Sequence, residues 1–277
     1  MKKFILLCAV FQSLGVQAQK VDEIIQESNK GKFFVFWGWN RSSFSTSDIH
    51  FKGSDYDFTL SNVKASDKPK PFGIYYLKPT ELTIPQTNFR IGYFFKENYT
   101  FSLGVDHMKY VMRNNQTVPI NGNIQLGGNY DGTYNDSEIL ITEDFLLFEH
   151  TDGLNYVNAE LARFDNINKW FGISSTDFSI NLTEGLGIGF LYPKTNTTLL
   201  AKERYDDFNV SGFGISAHAG LNLTFFKHFF FQSNLKIGYI DMNDIRTTKS
   251  KTDKASQSFT FVESMYVFGA RFRLSKK

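Results

Sequence analysis

The sequence contains little of what several common classes of protein depend on. Its 277 residues include one cysteine and six prolines, and 30 lysines and arginines stand against 28 aspartates and glutamates. A single cysteine excludes a disulfide-stabilised scaffold. The balanced charge argues against a nucleic-acid partner, because phosphate binding needs a basic excess on one face. No internal stretch reaches the roughly 18 uninterrupted apolar residues that indicate a transmembrane helix.

Aromatic residues are abundant instead, with 30 phenylalanines, 13 tyrosines and three tryptophans. A chain so rich in large apolar side chains is not intrinsically disordered. Its mean hydropathy of −0.28 is nevertheless too polar for a bundle of membrane-spanning helices. We therefore expect a folded all-β or mixed protein that forms one large unit or two small ones.

The first 18 residues have the pattern of a cleaved signal peptide. Two lysines precede an apolar segment, Phe4 to Phe11, and the small-residue site Val16-Gln17-Ala18 comes just before Gln19. Cleavage there removes the only cysteine and two basic residues, which leaves 28 basic against 28 acidic residues. The sequence thus predicts export, with residues 1–18 as the signal and residues 19–277 as one β-barrel domain.

Period-two alternation in several long segments predicts strands of membrane-spanning length. The clearest examples run from Phe178 to Phe190, from Gly212 to Phe225 and from Phe229 to Tyr239, with an apolar face and a small or polar face. Strands of soluble proteins average about 5–6 residues, whereas membrane-spanning strands need about 9–11. In a soluble sandwich the apolar face would form the core. Together with the export signal, the length favours an all-β fold, an antiparallel transmembrane up-and-down β-barrel.

The last residues of the chain agree with this prediction. Gly269, Phe272 and Leu274 resemble the C-terminal signal that the outer-membrane barrel assembly machinery reads. Val267 stands where a polar residue is usual, and residues 275–277 extend past the last apolar position. The resemblance implies that the assembly machinery is a partner during biogenesis.

Short turns and long loops are expected at opposite ends of such a barrel, and this sets the number of strands. Turns are predicted near 97, 165–175 and 227, which makes eight strands the expected number, with ten to twelve as the alternative. The predicted spans are 32–44, 87–96, 98–113, 139–164, 176–191, 210–225, 229–241 and 258–274, and the outer loops are 45–86, 114–138, 192–209 and 242–257.

Three features do not fit a simple eight-stranded pattern. The loop 45–86 is too long to lack structure and alternates around Phe58, so an extra hairpin could raise the count to ten. The span 139–164 is too long for one strand, and Gly153 could mark a bend or a turn. In the predicted register Glu184 faces lipid, which a bulge near Gly185 would avoid.

Three segments together carry a resemblance to a known group. They are Phe36-Trp37-Gly38-Trp39-Asn40-Arg41, Gly104-Val105-Asp106-His107-Met108-Lys109-Tyr110-Val111 and Phe148-Glu149-His150-Thr151-Asp152-Gly153-Leu154-Asn155-Tyr156. With them the chain resembles the outer-membrane β-barrel proteins of Bacteroidota. The resemblance implies a fold and a location, but no reaction.

One stretch suggests chemistry. His150 to Asn155 resembles the His-x-Ser-Asn pattern of barrel lipid A deacylases, in which histidine is the base and serine the nucleophile. Asp152 occupies the serine position here, and Glu160, a candidate to orient the histidine, lies ten residues away. We therefore expect no catalytic site, and a pairing of His150 with Asp152 or with other neighbours in a polar interior. The alternative is a site of His150, Asp152 and Glu160, for which a hydroxyl must lie within about 3.2 Å of the His150 ring.

Two other histidines lie in alternating segments. Asp106 and His107 are adjacent and must face opposite sides of a strand, and His218 is expected to point inward as a hydrogen-bonded residue. Neither pattern predicts a metal site or a cofactor.

The sequence as a whole predicts an integral outer-membrane protein of a Gram-negative bacterium with a structural, surface-interaction or narrow-pore role. The expected partners are outer-membrane lipid and lipopolysaccharide, and we expect a monomer. The alternative is a lipid A or phospholipid acyl hydrolase that uses His150.

Overall fold

The structure is a computed structural model that describes residues 28–71, 73, 86–200 and 202–274. The predicted signal peptide lies outside these residues. The described part of the chain forms a 14-stranded antiparallel sheet and a 3-10 helix at Asn168–Phe171. The strands are β1 (Phe33–Phe44), β2 (Ser47–Lys52), β3 (Tyr56–Val63), β4 (Ala65–Asp67), β5 (Thr87–Phe94), β6 (Tyr99–Met112), β7 (Thr117–Ile124), β8 (Gly132–Leu140), β9 (Leu146–Asn166), β10 (Phe178–Leu191), β11 (Asn196–Leu199), β12 (Gly212–Phe225), β13 (Phe229–Arg246) and β14 (Lys254–Phe272).

Eight of these strands close into a ring, which confirms the predicted up-and-down barrel. The ring order is β1, β5, β6, β9, β10, β12, β13 and β14, and each strand is antiparallel to its neighbours. Pairing of β1 with β14, from Phe33 opposite Phe272 to Phe44 opposite Phe261, closes it.

The stagger of the ring follows from the strand registers. From Phe33, the hydrogen-bonded partners lead around the ring and return to β1 at Ser43, ten residues further along. Such a stagger makes the strands tilt, typically by about 35–45° to the barrel axis. At this strand number the interior is just wide enough to be filled by side chains.

The connections differ in length at the two ends, as predicted. At one end, which we call the turn end, residues 95–98 and 226–228 form tight turns, and the 3-10 helix lies in the third connection. At the other end the connections carry β2, β3, β4, β7, β8 and β11. We call these six strands and the ring-strand ends paired with them the cap.

Strands of the cap account for the alternation around Phe58 in loop 45–86. The extra hairpin exists, with Phe51 of β2 opposite Phe58 of β3. However, β2 pairs with the first residues of β14, at the end nearest the cap. From there the sheet continues through β3, β7 and β8 away from the ring. The hairpin therefore adds no strand to the ring, and the count of ten to twelve is wrong.

The span 139–164 is also corrected. Its first residues belong to β8, which ends at Leu140, and β9 begins at Leu146. Within β9, Gly153 has a positive φ of 139°, next to an irregularity in the pairing with β6. Gly153 thus marks a local break in one long strand rather than a turn between two strands.

The faces of the strands follow the predicted alternation. In β12, Phe213, Ile215 and Leu221 are exposed, whereas His218 and Asn222 are buried. The register of β10 with β12 is continuous through Glu184 and Gly185, so the bulge that would have turned Glu184 away from the outward face does not occur there.

Glu184 therefore stands on the outward face of the barrel. It lies directly opposite Arg163 of β9. Arg163 also forms an ion pair with Asp165 at 2.8 Å, so the outward charges occur as a group of opposite signs.

Two apolar clusters occupy the two ends of the interior. Near the turn end lies a cluster that we call the aromatic layer, composed of Phe34, Phe36, Phe94, Ala162, Phe164, Phe230, Met265 and Val267. A larger cluster fills the cap and its junction with the ring, and includes Phe58, Tyr110 and Phe148. No helix among the described residues combines the length and the apolar character needed to cross a membrane.

Candidate functional site

Ionisable side chains meet in the middle of the barrel, between the aromatic layer and the cap. Six inward-facing residues from six ring strands form this group, which we call the charge network, and each is at most 7% exposed. They are Arg90, Asp106, Glu160, His218, Lys236 and Glu263. Strand alternation places each of them inside, and strand pairing brings them to similar positions along the barrel.

Ion pairs hold the centre of the charge network. The Lys236 ammonium contacts the Asp106 carboxylate and lies 2.8 Å from Glu160 Oε1. Arg90 Nη2 lies 3.0 Å from Glu160 Oε1 and 3.7 Å from Asp106 Oδ1. Two cations thus face the same two carboxylates, which offsets the large cost of removing each charge from water.

Amide side chains complete the charge network. Asn88 Nδ2 donates to Asp106 Oδ1 at 2.7 Å and to Glu263 Oε1 at 2.9 Å. Asn158 Nδ2 donates to Asp106 Oδ2 at 3.0 Å, while its Oδ1 accepts a bond of 2.6 Å from Arg90 Nη2. Buried charges supplied with such hydrogen bonds favour one fixed arrangement of the surrounding side chains.

Glu263 is the exception. Within the described residues no Lys, Arg or His nitrogen lies within 4.0 Å of its carboxyl group, and its Oε2 has no hydrogen-bond partner. His218 is also loosely held, because its Nδ1 lies 3.6 Å from Glu160 Oε2. The charge network therefore has a tightly paired centre and two loosely held members.

The aromatic layer separates the charge network from the turn end. Arg271 is buried on the turn-end side of this layer. Its guanidinium lies 5.1 to 5.4 Å from the ring centroids of Phe94, Phe164 and Phe230. Its Nη2 also donates to Asn222 Oδ1 at 2.9 Å. Cation–π contacts and this bond stabilise a charge in an apolar setting. Arg271 and the aromatic layer thus occupy the interior on the turn-end side of the charge network.

His150 lies apart from the charge network, in the cap. It is fully buried, and its Nδ1 lies 2.8 Å from Thr195 Oγ1, while Nε2 has no partner. Burial lowers the pKa of His150 to about 3, so the imidazole is neutral at ordinary pH. The hydroxyl that the hydrolase hypothesis requires is therefore within reach, but Thr195 is also fully buried.

The structure does not bring the three predicted site residues together. Asp152 is 45% exposed on the outward side, where Lys194 Nζ lies 3.5 Å from its carboxylate. Of the two expected pairings, the one with Asp152 does not form, because the irregular backbone at Gly153 interrupts the alternation on which it depended. The other does form, since His150 contacts a neighbour, Thr195. Glu160 belongs to the charge network and faces His218.

Sequence reasoning placed some residues of this site correctly and missed others. Asp106 and His107 do face opposite sides, with His107 Nδ1 2.8 Å from Asn155 Oδ1. His218 points inward as expected, although its contact with Glu160 is longer than a hydrogen bond. The inward charge of Lys236 was visible in the alternation of β13, but nothing in the sequence linked Thr195 to His150.

Among residues 28–71, 73, 86–200 and 202–274, no group of three or more His, Cys, Asp or Glu side chains could hold a metal ion.

Comparisons with known proteins return solved structures only. No protein-family model matches the chain, and no curated protein matches it. The outer membrane protein OprG from Pseudomonas aeruginosa is 14% identical, covering 90% of this chain and 99% of its own, with a TM-score of 0.41. The outer membrane protein AlkL is 10% identical, covering 94% and 99%, with a TM-score of 0.43. The attachment invasion locus protein Ail of Yersinia pestis is 12% identical, covering 88% and 99%, with a TM-score of 0.34. The barrel itself is established by the hydrogen-bonded ring of this chain.

Proposed function

We propose that the chain is an integral outer-membrane β-barrel protein of a Gram-negative bacterium, with a structural or surface-interaction role. The observation that carries the proposal is the outward face of the ring. Large apolar side chains such as Leu186, Ile188 and Leu235 stand 58 to 69% exposed on it. So much exposed apolar surface is not compatible with water, but it is what the hydrocarbon of a membrane requires.

Aromatic side chains on the outward face support the same proposal. Near the turn end they include Tyr93, Tyr99 and Phe229, and towards the cap they include Tyr192 and Tyr239. Such girdles mark the two membrane interfaces of a transmembrane barrel. The group of Arg163, Asp165 and Glu184 lies beside Tyr99, where charges on the lipid side cost least.

The cap supports a surface-interaction role rather than a pore. Long connections of a membrane barrel face the outside of the cell. Here they fold into a body with its own apolar core, and apolar layers lie on both sides of the charge network. A narrow pore is the second candidate, because polar side chains continue through the middle of the barrel.

Export and environment belong to the same proposal. Removal of residues 1–18, insertion by the barrel assembly machinery, contact with lipopolysaccharide and a monomeric state would follow from this location. The resemblance of three segments to Bacteroidota barrels supports that source.

Reconstitution tests the proposal. Residues 19–277 should fold into lipid bilayers in a form that resists unfolding by sodium dodecyl sulfate until heated. The folded protein should add little ion conductance to a planar bilayer. Recovery of the native protein in the soluble periplasmic fraction would contradict the location. Steady ion-conducting steps from the folded protein would favour the narrow pore.

The acyl hydrolase is the remaining alternative, and the distance between His150 and Thr195 is the one observation in its favour. Burial of both side chains keeps lipid away from them. Incubation with lipid A and with phospholipid should therefore release no fatty acid. Release that disappears in His150→Ala, with folding intact, would replace the proposed role by the enzyme.

A further inference from the structure

A small polar cavity lies inside the barrel at its turn end. It has a volume of about 20 Å³ and is lined by side chains from β10, β12 and β14 and from the chain just before β1. The buried residues Ser179, Thr224 and Arg271 form its inner wall, and the exposed side chains of Lys227 and Asp177 form its rim. One water molecule needs about 10–15 Å³ of such volume, so the cavity has room for one particle of roughly that size.

Arg271 brings into this cavity a charge that the protein does not neutralise. Its side chain is buried, and within the described residues no Asp or Glu oxygen lies within 4.0 Å of its guanidinium. Of its five N–H donors, the described part of the chain engages one, which bonds to Asn222 Oδ1. The three phenylalanine rings around the guanidinium attract its charge, but they offer no strong hydrogen-bond acceptor. A buried cation in this situation is costly unless a negative group reaches it.

The other charged groups of the cavity already have counter-charges. Lys227 Nζ lies 3.7 Å from Asp177 Oδ1 at the rim. Lys32, which also lines the cavity, interacts electrostatically with Glu97 outside it. Each lysine thus has a carboxylate near it, and Arg271 is the cation that is left over. The cavity therefore has a net positive charge, which favours an anion.

Hydrogen-bond donors also outnumber acceptors next to the cavity. Three donors meet at the Asn222 side-chain oxygen: Arg271 Nη2 at 2.9 Å, Thr224 Oγ1 at 2.8 Å and Asn181 Nδ2 at 3.3 Å. An amide oxygen has two lone pairs, so these donors compete for one acceptor. The Ser179 hydroxyl accepts a bond of 3.3 Å from Asn181 Nδ2 and can turn its own hydrogen towards the cavity. A particle that only accepts hydrogen bonds fits here better than a water molecule, which would add two donors.

We propose that the cavity binds a chloride ion. Chloride carries the missing negative charge, donates no hydrogen bond and is a single atom little larger than a water molecule, whereas phosphate or a carboxylate exceeds the volume. The ion accepts charge-assisted hydrogen bonds from the Arg271 guanidinium and from the Ser179 hydroxyl. It thereby links β14 to β10 through the inside of the barrel. The inference goes beyond the proposed function, because it requires the closed barrel but no particular orientation in a membrane.

Urea unfolding of residues 19–277 in phosphatidylcholine vesicles tests the proposal. Potassium chloride is increased while potassium gluconate, whose anion is too large for the cavity, keeps the ionic strength constant. Once chloride exceeds its dissociation constant, the folding equilibrium constant should rise about tenfold for each tenfold increase in chloride, because only the folded barrel has the site. A folding equilibrium that does not respond to chloride would overturn the proposal and leave the proposed location of the barrel untouched.

Two lysine variants separate the cavity from general surface charge. Lys227→Gln, at the rim, should weaken chloride binding several-fold, because it removes a positive charge beside the ion. Lys169→Gln makes the same change in the exposed 3-10 helix at the same end of the barrel, outside the cavity, and should leave binding unchanged. Equal weakening in both variants would show that chloride acts on surface charge rather than in the cavity.

Variants of the inner wall test the contacts assigned to the ion. Arg271→Met should abolish the dependence of folding on chloride. Ser179→Ala keeps Arg271 in place and should weaken chloride binding about tenfold, because it removes one hydrogen bond to a charged group. The second variant decides the matter if the first does not fold. A chloride dependence in Ser179→Ala equal to that of the wild type would contradict the assigned site.

Crystals grown with bromide in place of chloride identify the particle itself. Bromide should give an anomalous scattering peak in the cavity, beside the Arg271 guanidinium and the Ser179 hydroxyl. A peak that is present in the wild type and absent in Arg271→Met would assign the site. An ordered water at that position, without an anomalous signal, would overturn the proposal.

Discussion

Lys236 of β13 bonds to Asp106 of β6 across the inside of the barrel. The two residues are 130 positions apart in the sequence, and three strands, β9, β10 and β12, lie between theirs in the ring. Each is only 1% exposed. This contact connects opposite walls, so it forms only after the ring has closed, and it makes the charge network a product of the whole fold.

Removing Lys236 should therefore destabilise the barrel strongly. Lys236→Met keeps the length of the side chain but leaves Asp106 and Glu160 with a single cation, Arg90. Loss of one partner of a buried pair typically costs about 3–5 kcal/mol. Urea unfolding in lipid vesicles measures the loss.

A double variant serves as the control for that experiment. Lys236→Met combined with Asp106→Asn removes one charge of each sign, and should recover part of the lost stability through the coupling between the two sites. Strictly additive losses would show that the contact between Lys236 and Asp106 contributes no coupling.

Two glutamates of the charge network should respond in opposite ways to the same change. Glu160 faces Lys236 and Arg90, so Glu160→Gln should destabilise the barrel by several kcal/mol, on the order expected for breaking a buried ion pair. Glu263 has no cation within 4.0 Å in the described part of the chain, so Glu263→Gln should be neutral or stabilising. In Glu263→Gln the new amide oxygen can still accept the hydrogen bond that Asn88 donates to the wild-type carboxylate. Equal losses of stability in the two variants would contradict the assignment of the cations to Glu160 rather than to Glu263.

The barrel could be predicted from the sequence because its signals are local. Alternation within β12 separates the outward Phe213 from the inward His218 without any knowledge of neighbouring strands. The tight turn at residues 226–228 and the lengths of the other connections then set the strand count.

The candidate sites could not be predicted in the same way, because they depend on pairing between distant strands. Alternation places Asn222 inside but does not reveal that it accepts a bond from Arg271. The contact of His150 with Thr195 depends on how the connection after β10 folds back into the cap. The irregularity at Gly153 also changed the facing of Asp152. The sequence marked Gly153 as a possible bend or turn, but not which neighbouring side chains would change face.

The location of the membrane can be tested with one substitution at two sites. Leu186→Arg puts a charge on the apolar outward face of β10, and should cost about 2–4 kcal/mol of stability in a bilayer. Leu140→Arg makes the same change at an exposed position of β8 in the cap, where water should solvate the charge at little cost. Unfolding in vesicles compares the two variants. Similar losses at both sites would show that the outward band does not face lipid.

The buried histidine of the cap predicts a dependence of stability on pH. The folded pKa of His150 is about 3, below the ordinary value of 6.5, so the unfolded cap binds a proton more readily than the folded cap. The contribution of neutral His150 to the free energy of unfolding is therefore fully present above about pH 6.5. It falls as the pH is lowered towards 3, because unfolding takes up a proton over this range. The loss should reach several kcal/mol, at about 1.4 kcal/mol for each pH unit.

Hydrogen exchange of the amides of β2, β3 and β7, measured from pH 7 to 4 and corrected for the intrinsic exchange rate, should follow this loss in the cap. His150→Leu removes the titrating group and should flatten the pH dependence between pH 6.5 and 4, even if it changes stability at pH 7. His228→Gln, at the opposite end of the barrel, should keep the wild-type dependence. A cap whose protection falls equally in wild type and His150→Leu would exclude His150 as the cause, because the variant has no imidazole to protonate.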